Sequence, residues 1–304
     1  MASHRCRADR KNRLAHLAIF LAGGSILFVA LLLVNRDTRF EVTTYEVRSS
    51  RVPDAFDGFC IVQVSDLHSD TYGANQSDLL RSVGEAHPDL VAITGDLINR
   101  SETRSDFSLL LQLAAFAPVY FVTGNHEIHP ADAGYAKRLR DDIESTGAHF
   151  LQGEAATIQR GEEAIVVAGI DDLDAFLEWR KPWTLKAAEQ RAVTGWSAAL
   201  ASLRRGISPD KFVLLLSHRP EFFDFYAAAQ FDLVLAGHAH GGQVRLPLLG
   251  PLYAPGQGWL PRYTSGVHRR DMTAMVVSRG LKKSLFPIRL FNRPELVVVH
   301  LRKE

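Results

Sequence analysis

Ile61-Val62-Gln63-Val64-Ser65-Asp66-Leu67-His68 decides how the rest of the chain is read. Its first half has the mostly apolar character of a strand that helices cover on both faces, and its second half is the loop at the strand's carboxyl end. In open α/β sheets, ligands sit outside the carboxyl ends of such strands. If the segment stays extended, Asp66 and His68 point the same way, because residues two apart in a strand share a face. A carboxylate and an imidazole so placed could share one metal ion. Alone, the stretch also fits a strand-end turn with Asp66 as a helix cap and His68 in water.

Working outward, short apolar runs alternate with amphipathic ones. Strands are predicted at Thr43–Val47, Phe59–Val64, Leu90–Thr94, Val119–Thr123, Phe150–Leu151, Ile165–Ala168, Phe212–Leu216, Leu233–Ala236, Ala274–Val277 and Leu296–Leu301. Helical spacing covers Gln76–Ala86, Phe107–Phe116 and Ala133–Thr146, with Pro88 and Gly147 as stops. This alternation describes βαβ units and an α/β fold. Asp171–Ile207 changes character, with three aspartates, three tryptophans and helical spacing from Leu185, and reads as an insertion or helical flank near the site. Leu246–Pro261 is Gly/Pro-rich and apolar, and reads as a long loop that packs on the domain, or alternatively meets an acyl chain.

Five of the strands end in a group of metal-ligand type: Asp66-x-His68, Asp96, Asn125-His126, His218 and His238-x-His240. One such ending would be bland. Five are not, because parallel strands bring their carboxyl ends together. Leaving His126 aside, the set holds two carboxylates, one amide and four imidazoles. That exceeds one four-coordinate ion and suits two ions bridged by a carboxylate, about 3.5–4 Å apart. Imidazole mixed with oxygen fits Mn, Fe or Zn rather than an all-oxygen Ca or Mg site, and without thiolates this is no structural zinc cage.

The ordered pieces Asp66-Leu67-His68, Gly95-Asp96, Gly124-Asn125-His126-Glu127, Ser217-His218-Arg219-Pro220 and Gly237-His238-Ala239-His240 resemble the calcineurin-like metallophosphoesterases across roughly residues 58–300. Gly237–Gln243, Ser278-Arg279-Gly280 and Arg293-Pro294-Glu295 look like the membrane-associated YkuE-type branch. The resemblance implies a four-layer α/β/β/α sandwich and two divalent metal ions. Asp66, His68, Asp96 and His240 would hold one ion; Asn125, His218 and His238 would join the bridging Asp96 on the other. His126 would stand beside the scissile phosphate as a catalytic proton donor, or orient Asn125 from behind. Two dications would neutralise phosphate oxygens and lower the pKa of a water between them. The implied reaction is hydrolysis of a phosphoester or pyrophosphate. Thr123 and Ile98 depart from the phosphoprotein phosphatases and argue against a phosphoprotein substrate. Some relatives of the branch cleave the lipid-linked pyrophosphate UDP-2,3-diacylglucosamine. A catalytically inactive scaffold and a metal-binding sensor are the rival readings; the filled ligand positions speak against a decayed site. Asp171, Asp172 and Asp174 read as a solvated loop, or alternatively as an acidic rim.

The 304 residues are 46% hydrophobic and 23% charged with a formal charge of +1, an ordinary globular balance with no basic surface for nucleic acid. Cys6 and Cys60, the two cysteines, form no disulfide framework. Residues 1–13 carry five basic side chains, and Leu14–Val34 then runs 21 residues without a formal charge. About 20 apolar residues span a bilayer as a helix. A cleaved signal peptide ending near Ala22-Gly23-Gly24 is the rival, but Ile26–Val34 stays apolar beyond it. Residues 14–34 are therefore read as a single-pass membrane anchor, 35–57 as connector and first strand, and 58–304 as the catalytic domain. The basic residues before the span favour an extracytoplasmic catalytic domain, whereas a lipid precursor of the kind just named would lie on the cytoplasmic side.

Overall fold

The computed structural model describes residues 39–99, 107–128, 134–177, 185–283 and 289–304, with isolated positions 16, 20, 23 and 24. Two six-stranded sheets face each other. The first contains β1 (Glu41–Ser49), β2 (Cys60–Val64), β3 (Leu90–Thr94), β4 (Val119–Val122) and β5 (His149–Phe150). The second contains β6 (Glu154–Arg160), β7 (Glu163–Gly169), β8 (Phe212–Leu216) and β9 (Leu233–Ala236). Two small ribbons follow, β10 (Arg245–Leu246) with β11 (Gly250–Pro251) and β12 (Tyr253–Ala254) with β13 (Gly258–Trp259). Strands β14 (Gly266–Arg270) and β15 (Thr273–Val277) return to the second sheet, and β16 (Glu295–Lys303) to the first. The sheet orders are β1-β16-β2-β3-β4-β5 and β14-β15-β9-β8-β7-β6.

Side-chain alternation builds four layers from these strands. Ile61, Leu90, Ala92, Tyr120 and Val122 point inward from the first sheet and pack on Ile165, Val167, Leu214, Leu216, Leu235 and Val276 of the second. The alternate residues Val62, Val64, Val91, Ile93 and Phe121 point outward and meet helices α1 (Ser77–Glu85), α2 (Ser108–Leu113) and α3 (Tyr135–Glu144) through Leu79, Val83, Leu110, Leu113, Leu139 and Ile143. On the far side, Val166, Val213, Leu215, Val234 and Met275 meet α4 (Leu185–Arg205) and α5 (Phe223–Ala228) through Trp196, Leu200, Phe223 and Tyr226. Both faces of each central strand are thus dry, which is why β2, β3, β8 and β9 read as continuous apolar runs.

The α/β class and the layering match the expectation, with several corrections. Of the two readings of 171–207 the helical flank holds and the insertion does not: α4 is the outer layer of the second sheet, and its buried Ala192, Trp196 and Leu200 lie on one face. Strands β6 and β14 and helix α5 were not anticipated. Both strands are sheet edges whose outer side faces water, so their polar residues dilute the apolar signal. The 246–261 loop holds the two ribbons. The predicted anchor at 14–34 lies almost wholly outside the described residues, as do Trp179 and Trp183. Among the described residues no helix is long and apolar enough to cross a membrane.

Candidate metal centre

The carboxyl ends of β2, β3, β4, β8 and β9 converge where the two sheets meet. Gln63, the one polar side chain of β2, ties them together here: its Nε2 donates to Thr94 Oγ1 and to the carbonyl of Ala236 on the opposite sheet, both at 2.9 Å. Past the strands the backbone turns sharply. Asp66, His68, Asp96, His238 and His240 all have φ between 46° and 63°. The extended geometry expected for Asp66-x-His68 is therefore replaced by left-handed residues. For side chains with a Cβ this conformation costs about 1–2 kcal/mol each, and such strain persists where the surroundings over-determine it, typically at functional sites. Small neighbours make room. A Cβ on Gly95 (φ +89°) would strike the backbone of Gly124 and the His218 ring, and one on Gly237 would strike Ser65 and Asp66.

Two clusters result, and they share Asp96. Ligand atoms of Asp66, His68, Asp96 and His240 lie within 4.8 Å of one another, as do those of Asp96, His218 and His238. Asp96 Oδ2 stands 3.4 Å from His68 Nε2 and 3.5 Å from His218 Nε2, so one oxygen faces both clusters. His240 Nε2 is 3.5 Å from Asp66 Oδ1. Two ligand atoms each about 2.1 Å from one tetrahedral ion lie about 3.4 Å apart, which is the spacing found. Six of the seven expected ligands are therefore brought together as side chains. Asn125 is half-buried in the turn after β4, one residue before His126, whose backbone N–H donates to Asp96 Oδ1 at 2.8 Å. The His126 ring sits edge-on to His68, centroids 4.4 Å apart.

The donor set fits divalent cations. His68 Nδ1 and Nε2, His238 Nε2 and His240 Nδ1 are buried without a hydrogen-bond partner, an arrangement that is costly unless something else binds there. Burial, the largest influence, pushes His68 down to about 3, and pushes His238 and His240 well below the usual histidine range. All three rings are thus neutral, the form that ligates metal. His218 goes the other way. Burial opposes its charge, but Asp96, Asp66 and Asp172 outweigh burial and raise it. The pocket accordingly attracts positive charge.

A set of supporting residues surrounds the ligands. Glu127 is buried and accepts from the backbone N–H groups of Asp96 (2.8 Å), Gly124 (2.7 Å) and Ile98 (3.2 Å), locking the β3 and β4 ends to each other. Arg219 forks onto Asp172 at 2.7 and 2.8 Å and reaches Asp174 at 2.8 Å. These aspartates are therefore neither a solvated loop nor an acidic rim; Asp172 is buried and anchors the loop that carries His218. Asn292 Nδ2 donates to the carbonyl of His240 at 2.7 Å. Glu127 and Arg219 sat inside the motifs already quoted, where their position was a signal. Asn292 is remote in sequence and carried none.

Comparison with known proteins agrees with this geometry. The profile of the calcineurin-like phosphoesterases matches residues 60–242. Metallophosphoesterase YkuE of Bacillus subtilis is 29% identical over 86% of this chain and 85% of its own length. Phosphodiesterase YaeI of Escherichia coli is 29% identical over 80% of this chain and 82% of its own. A transmembrane protein with metallophosphoesterase domain from Bos taurus is 30% identical over 86% of this chain, which spans 57% of that relative's length. A solved dimetal phosphatase from Danio rerio aligns with a TM-score of 0.43 at 16% identity, over 75% of this chain and 90% of its own. The converging strand ends thus carry the motifs of a known hydrolase group, and the chain belongs to the calcineurin-like phosphoesterases, in the YkuE-type branch, as a metal-dependent phosphoesterase.

Proposed function

We propose that the chain is a membrane-anchored dinuclear phosphohydrolase that cleaves a phosphoester or pyrophosphate bond of a lipid-linked substrate. One observation carries the two-ion reading: a single oxygen of Asp96 faces both ligand clusters. Asp66, His68, Asp96 and His240 would hold one ion of Mn, Fe or Zn, and Asp96, Asn125, His218 and His238 the other. When bound, the ions supply Lewis-acid charge for phosphate oxygens and acidify water. The chain's own residues do the rest. Glu127 ties the loops after β3 and β4 together, and Arg219 anchors the His218 loop to Asp172. His126, partly exposed and edge-on to His68, would give a proton to the leaving oxygen. The uncharged run 14–34 supports anchoring, and the bovine relative is named for a transmembrane segment.

The full chain, purified in detergent with Mn, should hydrolyse bis-p-nitrophenyl phosphate. Chelator should abolish this, and Asp96→Asn should remove it. Activity on this ester that survives Asp96→Asn would sink the site assignment. Lipid linkage is tested with UDP-2,3-diacylglucosamine against its deacylated analogue; equal rates on the two would argue against lipid selection.

A further inference from the structure

Most exposed apolar side chains of a domain are scattered singly and mean nothing. Here five cluster within thirteen residues of the His240 loop: Leu248, Leu249, Tyr253, Trp259 and Leu260. Leu248 and Leu249, at 108% and 68% exposure, form the tip of the β10–β11 ribbon; Trp259 and Leu260, at 77% and 69%, end the β12–β13 ribbon. The packing expected for this loop is found only at its roots. Pro251 lies against Gly242, Ala254 is buried in the core, and the Leu252 N–H bonds the carbonyl of Val244 at 2.9 Å. Among the described residues the tips stay exposed, with the Tyr253 and Trp259 rings edge-on to each other at 5.7 Å.

Two further features say what covers them. The first is charge. From Leu233 to Arg270 the chain has no carboxylate, and its formal charges are Arg245, Arg262, Arg269 and Arg270. In space Asp224 pairs with Arg270 and Glu221 lies against Gly256, which leaves Arg262 and Arg269 beside the exposed Trp and Leu, a combination suited to an anionic lipid headgroup layer. The second is where the N-terminal segment leaves. β1 runs parallel to β16 with Glu41 opposite Glu295, and β16 runs antiparallel to β2 with Val297 opposite Gln63. Glu41 therefore lies level with Ser65, at the end of the sheet that carries the metal ligands. Only residues 35–40 separate it from the apolar run ending at Val34, a reach of at most ~20 Å.

We propose that the two ribbons dock on an anionic lipid bilayer, so that the metal-centre edge of the sandwich faces the membrane. This rests on the anchored reading above and deepens it. The anchor limits distance, and the ribbons set orientation. A phosphoester at headgroup depth would then meet His126 and the ligand cluster without leaving the membrane.

Trp259 itself reports the contact. The full chain is reconstituted into vesicles of phosphatidylcholine and phosphatidylglycerol brominated along the acyl chains, and its emission is compared with that of Trp259→Phe in the same vesicles. Because interfacial insertion runs some 5–10 Å deep, the Trp259 share of the emission should fall by roughly half or more. Leu248→Asp with Leu249→Asp should restore that emission while turnover of bis-p-nitrophenyl phosphate in detergent stays at the wild-type rate, which shows that the fold survives. Unquenched Trp259 in chains that float with the vesicles overturns the proposal. So does Trp259 shielded only by self-association, and so does a chain that fails to float at all. Hydrolysis is scored separately: a chain that quenches but cleaves no phosphoester refutes the enzymatic reading and leaves the docking surface standing.

Discussion

The His218 ring, at the end of β8, reaches across the gap between the sheets and places Nδ1 2.8 Å from the carbonyl oxygen of Thr94, at the end of β3. A carbonyl can only accept, so Nδ1 carries a proton, and Nε2, which faces Asp96 3.5 Å away, is the nitrogen that would give up its own proton to ligate a metal. The contact fixes the tautomer that ligates and pins the second sheet to the first at the site. His218 belongs to only one of the two clusters. His218→Asn should therefore lower bound metal, measured by elemental analysis, from about two ions per chain to about one, with far-ultraviolet circular dichroism unchanged. Unaltered stoichiometry would remove His218 from the ligand set.

Glu127 makes a sharper stability claim than any ligand. Its carboxylate takes three backbone N–H groups from two strand ends. Glu127→Ala leaves them buried and unpaired, at about 1–3 kcal/mol for each donor that water cannot reach. The variant should melt well below the wild type and hold little metal. Glu127→Gln keeps the shape but turns an amide N–H towards these donors, so it should fall between the two. A Glu127→Ala chain with wild-type melting temperature and metal content would show that the loops hold themselves.

These cases show why the site was half legible in the sequence. Ligands stand out because Asp and His are out of place after four or five buried apolar residues. The buried strands are legible for the same reason: Leu90–Thr94 and Phe212–Leu216 are read to the residue. What holds the ligands is hidden. Asn292 meets His240 from 52 positions away, and Asp172 meets Arg219 from 47; no local pattern encodes such pairs. The left-handed turns at Asp66 and His68 are hidden too, since neither residue type demands a positive φ. They arise from bonds that Asp66 and His68 make to the β3 end, the N–H of each donating to the carbonyls of Gly95 and Asp96. Edge strands such as β6 are weak in the sequence because half of their residues face water.

Asp171 supplies a pH signature that is independent of the metal ligands. Burial of its carboxyl, only partly offset by hydrogen bonds from Thr123 and Gln152, raises it from 3.8 to about 6. At this carboxyl the folded state therefore binds more protons than the unfolded chain between about pH 4 and pH 6, and its contribution to stability falls as pH rises through that window. Allowing for the residue's partial exposure, the loss amounts to ~2 kcal/mol. Asp171→Asn keeps an acceptor for Thr123 Oγ1 and removes the titration. Its melting temperature relative to the wild type should climb between pH 4 and pH 7. A difference that stays flat across that range would contradict the assignment.

His126 can act on the substrate or on its neighbour Asn125, and the leaving group separates the two roles. A proton donor matters little when p-nitrophenol departs, because that oxygen is already a stable anion. It matters greatly for an alkyl alcohol, where general acid catalysis contributes about 10²–10⁴-fold. The ring packs edge-on against His68 and is itself outside both ligand clusters. His126→Ala should therefore keep the wild-type metal content, lose little on bis-p-nitrophenyl phosphate, and lose about 10²-fold or more in kcat on an alkyl phosphodiester. Equal losses on the two esters would mean that His126 positions rather than protonates. Loss of metal along with activity would place its function in orienting Asn125. A loss confined to the poor leaving group needs a proton delivered at the departing oxygen, and among the described residues His126 is the partly exposed histidine that stands against the ligand cluster without belonging to it.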